Sequence, residues 1–320
     1  MIVTTEPRPL RVAFLGNDAW SVPSLRALAV SRYPVVAVVT AVPKPAGRGN
    51  EPRPTPVAEE ARRLGLPLVE TETVKTGPGF KRLAASVPDV LAVVAYGEIL
   101  PPNVLHLPRV APVNLHFSLL PELRGAAPVQ TALLAGLERT GVTTMLMDKG
   151  LDTGPIILQR EVPILPEDDA GSLGARLAEV GAELLVETVD LLASGPVAPR
   201  PQDPRLATYA PKFGPEDRVL DFSQPARLLV NLVRALSPEP GARTIFRGEP
   251  LKVLRAEAVP AEGEPGVIVE VGKGGFVVAT TEGGFAPLVL APAGRRVMPV
   301  GDFVNGYRPA VGERLGEPPA

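Results

Sequence analysis

Residues 10–15 read L-R-V-A-F-L and are followed by Gly16, an apolar run typical of a buried strand that ends at a glycine turn. Ser21 and Thr55 are suited to cap helices, and apolar residues recur at helical spacing over residues 171–192. Strands and helices that alternate in this way predict parallel βαβ units, and hence a doubly wound, Rossmann-like α/β domain. The other predicted strands of this domain are residues 35–39, 90–94, 113–117 and 142–147.

The pattern changes after Gly195. Six prolines fall between residues 196 and 215, a density that predicts a linker. Residues 226–236 then have the spacing of one helix, and short strands separated by glycine are predicted at 266–271, 275–280 and 285–290. Such strands favour a small OB-like β-barrel. We therefore expect an α/β domain over residues 1–197, a linker over 198–215 and a C-terminal β-barrel domain over 216–320.

Composition excludes several kinds of site. The chain has no cysteine, so disulfides, thiolate metal sites and a cysteine nucleophile are excluded. The formal net charge is −2, so an RNA partner would need a local basic patch. The N-terminus lacks the apolar stretch of a signal peptide, and no segment reaches the length of a membrane span. We expect a soluble cytoplasmic protein without a membrane association.

Three polar residues are predicted to meet at the carboxyl ends of neighbouring strands. Asn114 and His116 alternate onto one face near the end of a strand, and Asp152 follows the next strand between Gly150 and Gly154. Open α/β sheets bind ligands at this edge. An amide N–H and a protonated imidazole are suited to stabilise the oxyanion of an acyl transfer to an amine, with the aspartate orienting the imidazole and relaying a proton. The same residues also fit a turn-capping aspartate, a buried asparagine and a structural histidine, so the chemistry alone leaves both interpretations open.

Two long strings carry a family resemblance. Residues 113–130, V-N-L-H-F-S-L-L-P-E-L-R-G-A-A-P-V-Q, and residues 141–156, G-V-T-T-M-L-M-D-K-G-L-D-T-G-P-I, closely resemble the signatures of methionyl-tRNA formyltransferases. The resemblance extends over essentially the whole chain, including its two-domain layout. Further matching strings are P-K-P-A-G-R-G at 43–49, V-V-A-Y-G-E-I-L-P at 93–101 and P-G-A…G-E-P-L-K-V at 240–253.

The resemblance implies a reaction and assigns residues to it. The formyl group of 10-formyltetrahydrofolate would pass to the α-amine of methionine on initiator tRNA, with Asn114, His116 and Asp152 as catalytic residues and no metal. The family's folate-contacting element falls on Ser118, Leu119, Leu120 and Pro121, and the pterin would bind near residues 94–97.

The resemblance also assigns the tRNA partner to two parts of the chain. Lys44 and Arg48 lie in a Gly- and Pro-rich loop that resembles a tRNA-contacting insertion, a placement that suits phosphate contact. The C-terminal barrel is expected to bind tRNA as well, and the enzyme to be a monomer. From residue 198 onward there are 15 Lys and Arg against 14 Asp and Glu, so these cations would have to gather on one face. The candidates are Arg243, Arg247, Lys252, Arg255, Arg295 and Arg296.

Some positions depart from the family pattern. The first loop reads G-N-D-A-W-S-V-P at residues 16–23, where the family has G-T-P followed by F-A, so Trp20 is the candidate for the missing aromatic position. Phe117 stands where glycine is common, and Glu122 with Leu123 replaces a basic–aromatic pair.

Three alternatives remain open from the sequence. A formyltransferase acting on an amino sugar or a glycinamide ribonucleotide would share the catalytic trio. A dinucleotide-binding oxidoreductase would share the fold class, although the turn after the first strand lacks G-x-G-x-x-G. A non-catalytic RNA-binding protein is disfavoured by the intact trio.

Overall fold

The structure, a computed structural model, describes residues 8–46 and 51–316. Its strands are β1 Val12–Gly16, β2 Val35–Ala41, β3 Lys44–Ala46, β4 Glu51–Arg53, β5 Leu68–Thr71, β6 Val90–Val94, β7 Ala111–His116, β8 Arg124–Gly125, β9 Arg139–Leu146, β10 Ile156–Pro163, β11 Tyr209–Ala210, β12 Ala242–Phe246, β13 Glu249–Val259, β14 Ile268–Gly272, β15 Gly275–Ala279, β16 Gly284–Pro292 and β17 Met298–Pro299. Its helices are α1 Val22–Val30, α2 Pro56–Arg63, α3 Gly77–Ala85, α4 Pro102–Leu105, α5 Pro128–Leu134, α6 Ala170–Ser194, α7 Ala226–Leu236 and α8 Val300–Tyr307.

The described residues form two compact units, and the chain passes between them more than once. The first unit contains the chain up to Pro128 together with Thr140–Pro163 and Gly174–Ala210. The second contains Val129–Arg139, Ile164–Leu173 and the chain from Pro211 onward. Within the residues that the structure describes, no helix has the length and apolar character needed to cross a membrane.

The first unit is built on a seven-stranded sheet in the order β10-β9-β7-β6-β1-β2-β5. Strands β5, β2, β1, β6 and β7 are parallel, which confirms the predicted Rossmann-like fold. β9 runs antiparallel to β7, a direction that hydrophobic periodicity cannot reveal. Both β1 and β6 are buried along their whole length because helices cover both faces of such a sheet.

The two predicted helix caps behave differently. Thr55 caps α2 as predicted, because its hydroxyl accepts a hydrogen bond from the backbone N–H of Ala58 at 3.0 Å. Ser21 precedes α1, but its side chain makes no capping hydrogen bond. Its hydroxyl instead donates to the carbonyl of Val94 at 2.8 Å. The side-chain cap predicted at Ser21 is therefore wrong, and this buried serine ties the start of α1 to the end of β6.

The second unit contains an antiparallel sheet in the order β12-β13-β16-β15-β14, with β17 paired to β16. Isolated bridges join Phe246 at the end of β12 to Leu315, and Val267 before β14 to Arg314. The C-terminal segment thus connects the two edges of the sheet, as expected of a small barrel. Its apolar core includes Phe276, Phe285 and Phe303.

A carboxylate between α1 and α2 binds two arginines in the first unit. Glu60 is 6% exposed and accepts hydrogen bonds from Arg26 Nε at 2.7 Å and Arg63 Nη2 at 2.6 Å. The hydrogen bonds from Arg63 and Arg26 lower the pKa of Glu60 to about 2. Because the pKa of Glu60 in the folded state lies below its ordinary value of 4.5, the ionised carboxylate stabilises the fold above pH 4.5.

We expect Glu60→Gln to lower the urea midpoint of unfolding at pH 7. The difference from wild type should shrink as the pH falls from about 4.5 towards about 2, since wild-type Glu60 then becomes protonated. Urea titrations monitored by circular dichroism across this range measure the effect. The exposed Glu72 provides the control substitution Glu72→Gln. A Glu60→Gln deficit that is the same at pH 7 and pH 2 would contradict this account.

Candidate active site at the carboxyl ends of the central strands

A cavity of about 470 Å³ opens at the carboxyl ends of β6 and β7 in the first unit. Its walls include residues 95–100, 114–117 and 147–152, so Asn114, His116 and Asp152 all face it. A cavity of this size accommodates a small molecule or the head group of a larger one. The structure therefore brings together the three residues that strand periodicity and glycine placement single out.

Asn114 lies at the sheet position where β7 has a neighbour on each side. It pairs with Val93 of β6 and with Met145 of β9, and all three residues line the cavity. The residue is half-buried. Among the described residues, no hydrogen bond is made to its carboxamide. Its N–H and carbonyl groups are therefore available to a ligand in the cavity.

His116 is 6% exposed, and a backbone carbonyl fixes a proton on its Nε2. Its Nε2 lies 2.9 Å from the carbonyl oxygen of Leu123. Because a carbonyl oxygen only accepts, Nε2 must carry a proton. The other ring nitrogen, Nδ1, lies 3.8 Å from Oδ2 of Asp152, which is an ion-pair distance but too long for a direct hydrogen bond. Leu123 thus makes the direct hydrogen bond to the ring, a role that no side-chain motif in the sequence indicates.

Asp152 is held in a tight turn after β9. Its backbone has φ +53°, a left-handed conformation that aspartate tolerates better than most residues. Oδ2 accepts a hydrogen bond from the backbone N–H of Gly125 at 2.8 Å. A Cβ on Gly154 would overlap the carbonyl oxygen of Leu146, so the turn packs directly against the end of its own strand. Glycine at position 154, two residues after Asp152, is therefore required for close approach of the backbone.

The loop after β6 forms another wall, and the atypical first loop holds it. The side-chain amide of Asn17 donates to the carbonyl of Tyr96. Asn17 Oδ1 accepts from the backbone N–H of Ala41 at 2.8 Å and from the hydroxyl of Thr40 at 2.9 Å. One residue thus joins the ends of β1, β2 and β6. The sequence shows that position 17 departs from the family pattern, but only the fold shows what the asparagine binds. Burial of the neighbouring Tyr96 raises the pKa of its phenol.

Two other departures from the family pattern are in contact. Trp20 packs edge-to-face against Phe117, with ring centroids 6.0 Å apart and an interplanar angle of 74°. Phe117 lines the cavity, and the indole of Trp20 covers Gly174 of α6, where a Cβ would overlap it. The aromatic residue at 20 therefore supports the aromatic cavity wall at 117.

The predicted folate element lies beside the cavity but not on its wall. Ser118 is fully buried, and its hydroxyl donates to the carbonyl of Glu122 at 2.6 Å. Leu120 packs with Met145 and Ile156. Leu119 and Pro121 are half-buried, and none of the four residues lines the cavity. Their observed role is to shape the turn between His116 and Leu123, and direct contact of Ser118, Leu119, Leu120 and Pro121 with folate stays a prediction.

The basic segment after β2 is a hairpin rather than the simple loop that the sequence predicts. Lys44 begins β3 and pairs with Arg53 of β4, and both residues are exposed. Arg48 lies outside the described residues. The sequence does not indicate this hairpin, because both of its short strands contain proline. Proline has no backbone N–H for the hydrogen bonds between strands and is atypical of a strand.

The basic residues of the second unit differ in their surroundings. Arg247 is bound by Glu313 through hydrogen bonds of 2.7 and 2.9 Å, and Arg243 donates to the carbonyl of Pro215 at 2.5 Å. Lys252 Nζ lies 3.8 Å from Glu239 Oε2. Arg255, Arg295 and Arg296 are exposed. Over residues 8–46 and 51–316, no three His, Cys, Asp or Glu residues gather in a metal-binding arrangement.

Comparison with known families and proteins gives two domain matches. The family model described as formyl transferase matches residues 10–189, and the model for the formyl transferase C-terminal domain matches residues 212–308. The methionyl-tRNA formyltransferase of Thermus thermophilus is 46% identical over 308 residues, covering 96% of this chain and 100% of that protein. The enzyme of the same name from Roseiflexus sp. is 44% identical over 313 residues, covering 97% and 96%.

Solved structures with low sequence identity share the fold. An N-formyltransferase from Helicobacter canadensis, crystallised with folinic acid and dTDP-3-aminofucose, superposes with a TM-score of 0.64 at 18% identity, covering 87% of this chain and 98% of that one. HypX from Aquifex aeolicus in complex with tetrahydrofolic acid gives a TM-score of 0.63 at 18% identity, covering 95% of this chain and 48% of that one. The domain matches, together with relatives above 40% identity along nearly the whole length, establish that this chain belongs to the formyl transferase family, in the branch of the methionyl-tRNA formyltransferases.

Proposed function

We propose that the protein transfers the formyl group of 10-formyltetrahydrofolate to the α-amine of methionine on initiator tRNA. The observation that carries this proposal is the convergence of Asn114, His116 and Asp152 on one cavity, in a chain whose near-full-length relatives carry that activity by name. The product, N-formylmethionyl-tRNA, serves translation initiation. We propose that the enzyme acts in the cytoplasm, and that it acts there as a monomer.

The donor fits the cavity in size and in chemistry. A volume of about 470 Å³ suits the pterin end of a folate. The backbone at 95–97 bends sharply there, with φ +44° at Ala95 and +85° at Gly97. Such a bend exposes backbone polar groups that can bind the pterin edge. The formyl carbon would then reach Asn114 and His116.

The oxyanion would be stabilised from two sides. When the amine attacks the formyl carbon, the carbonyl electrons move to oxygen and a tetrahedral intermediate forms. Asn114 offers side-chain N–H groups with no partner among the described residues. A protonated His116 keeps its Nε2 proton on Leu123 and presents its Nδ1 proton on the side of Asp152. Donors fixed in place before the reaction stabilise the developing charge without reorganising.

Protons would move between the amine and the folate through the same residues. The attacking amine loses a proton, and N10 of the folate gains one as its bond to the formyl carbon breaks. The side chain of Asp152 is 13% exposed, and its Oδ2 lies 3.8 Å from His116 Nδ1. It would orient the imidazole while it is ionised, and would then accept the amine proton through a water molecule in the cavity.

The acceptor is proposed to bind through two basic regions. The hairpin formed by β3 and β4 presents exposed Lys44 and Arg53 side by side, and Arg48 falls between these two strands in the sequence. The second unit presents the exposed Arg255, Arg295 and Arg296. Cations on exposed strands and turns suit phosphate contact. We therefore propose that residues 1–197 carry the catalytic site and residues 216–320 bind tRNA, while the predicted linker 198–215 contributes its residues up to Ala210 to the first unit.

We expect Asn114→Ala to lower kcat about 100- to 1000-fold, because one oxyanion donor is lost. Single-turnover formylation with thermal unfolding as a folding check measures this. The control is Asn103→Ala, which removes an exposed carboxamide that donates to the carbonyl of Lys75. An Asn114→Ala enzyme that turns over at the wild-type rate has no need of this donor.

We expect methionyl initiator tRNA to be formylated far faster than methionyl elongator tRNA, and free methionine slowest. An amino-sugar nucleotide or glycinamide ribonucleotide should remain unformylated. The assay compares kcat/KM for each acceptor with 10-formyltetrahydrofolate fixed at saturation. Equal kcat/KM values for the three methionine-bearing acceptors would show that the enzyme does not recognise the tRNA.

We expect Lys44→Ala to raise KM for tRNA. The slope of log KM against log salt concentration should fall by about one, the value expected for the loss of one phosphate contact. The KM for 10-formyltetrahydrofolate should not change. Lys81→Ala on the exposed side of α3 is the matched control. A salt slope identical to wild type means that Lys44 makes no phosphate contact.

A further inference from the structure

The segment 200–210, which we call the bracing segment, lies against the turn that connects His116 to Gly125. It belongs to the first unit. β11 pairs in parallel with β8, so Tyr209 lies opposite Arg124 and Ala210 opposite Gly125. The approach is close: a Cβ on Gly125 would lie 2.6 Å from the carbonyl oxygen of Ala210. At its other end, Arg200 forms a two-hydrogen-bond bridge with Ile156 of β10, both bonds being 2.8 Å.

Thr208 supports the residue that holds His116. Leu123 accepts the Nε2 proton of His116, and its own backbone has φ +55°, a conformation that leucine adopts only when its surroundings impose it. The hydroxyl of Thr208 accepts a hydrogen bond from the backbone N–H of Leu123 at 2.8 Å. The carbonyl of Thr208 accepts from the N–H of Arg124 at 2.9 Å. Both bonds oppose relaxation of this strained turn.

Gln202 supports the turn that carries Asp152. Its side-chain amide donates to the carbonyls of Asp152 at 2.9 Å and Gly154 at 2.7 Å. Its Oε1 accepts from Nη2 and Nε of Arg124 at 2.7 and 3.1 Å. Arg124 is 4% exposed and directly precedes Gly125, whose N–H binds the carboxylate of Asp152. One amide thus fixes the Asp152 turn and the strand that carries its hydrogen-bond donor.

We propose that Gln202 and Thr208 are positioning residues for the pair His116–Asp152. Neither residue lines the cavity, so each acts through another: Thr208 through Leu123 on His116, and Gln202 through the backbone on Asp152. The imidazole and the carboxylate lie 3.8 Å apart with no direct hydrogen bond between them, so their separation depends on the backbone that holds each one, and the two supports bind that backbone. The expected effect on kcat rests on the proposed function, whereas the expected effect on the His116 tautomer does not.

The histidine tautomer provides a structural test that needs no substrate. The chain has two histidines, and His106 is exposed, so selective ¹⁵N labelling gives two imidazoles, assigned with a His106→Gln variant. Wild-type His116 should show a proton held on Nε2. Thr208→Val removes the acceptor for the Leu123 N–H. It should move the ¹⁵N shifts of both His116 ring nitrogens towards values intermediate between those of a protonated and an unprotonated nitrogen. Thr208→Ser keeps the hydroxyl and should restore the wild-type signals.

Kinetics provide the catalytic test. We expect Thr208→Val and Gln202→Leu each to lower kcat by about 10-fold or more, because displacing a reacting group by as little as 1 Å costs up to about 100-fold. KM for both substrates should change less than about threefold, since neither side chain contacts the cavity. Gln202→Glu keeps an acceptor for Arg124 but loses both donors, and should lower kcat as Gln202→Leu does. Thr208→Ser should recover the wild-type kcat.

Thr280→Val is a control for the loss of a threonine hydroxyl elsewhere in the protein. It removes a buried threonine hydroxyl that donates to backbone carbonyls in the second unit. The proposal is overturned for either residue if its variant keeps kcat within twofold of wild type, or if Thr280→Val lowers kcat as much at equal loss of thermal stability. The role proposed for Thr208 is also overturned if Thr208→Val leaves the His116 nitrogen signals unchanged, whatever its kcat. If the wild type formylates no acceptor, the tautomer measurement still decides the structural role of Thr208, so the two proposals fail separately.

Discussion

The hydrogen bond from His116 Nε2 to the carbonyl of Leu123 determines how this site can work. It is 2.9 Å long and holds a proton on Nε2, so in the proposed reaction Nδ1 is the ring nitrogen left to exchange protons. Nδ1 is the nitrogen nearest Asp152. A single backbone acceptor therefore decides which side of the imidazole exchanges protons. The conformation of Leu123, strained at φ +55°, is maintained for this contact by its neighbours.

The sheet places two of the three candidate catalytic residues before any loop contributes. Asn114 and His116 alternate along β7, whose neighbours are parallel β6 on one side and antiparallel β9 on the other. β10 lies beside β9 in the sheet, and the short connection between these two strands forms the turn that carries Asp152. The carboxylate thus arrives beside the imidazole within a few residues of a strand end. Rigid strands hold two members of the trio, and a glycine-rich turn holds the third.

Much of the fold and the core of the site were predictable from the sequence, for identifiable reasons. β6 and α7 have the predicted bounds, Val90–Val94 and Ala226–Leu236, because an uninterrupted apolar run and a strong helical period are local signals. Side-chain alternation likewise placed Asn114 and His116 on one face. The antiparallel direction of β9, the hydrogen bond from His116 to the carbonyl of Leu123 and the supports at residues 202 and 208 were not predictable. Each depends on backbone groups or on partners distant in sequence, which residue type does not encode. The first loop illustrates the same limit, since Asn17 was visible as unusual while its three partners were not.

The division of the chain into interleaved units has a consequence for how such an enzyme can be assembled. Residues 129–139 and 164–173 belong to the same unit as the C-terminal strands, and within that unit Asn231 donates to the carbonyl of Leu134 while Arg234 donates to that of Asp168. A gene fragment that ends near residue 210 would therefore carry Val129, Ala132 and Leu133, all fully buried here, without the rest of their unit. The C-terminal part is thus not a removable attachment. Exchanging it between relatives would require the matching segments around β9 to be exchanged with it, so the two halves of the gene are expected to change together.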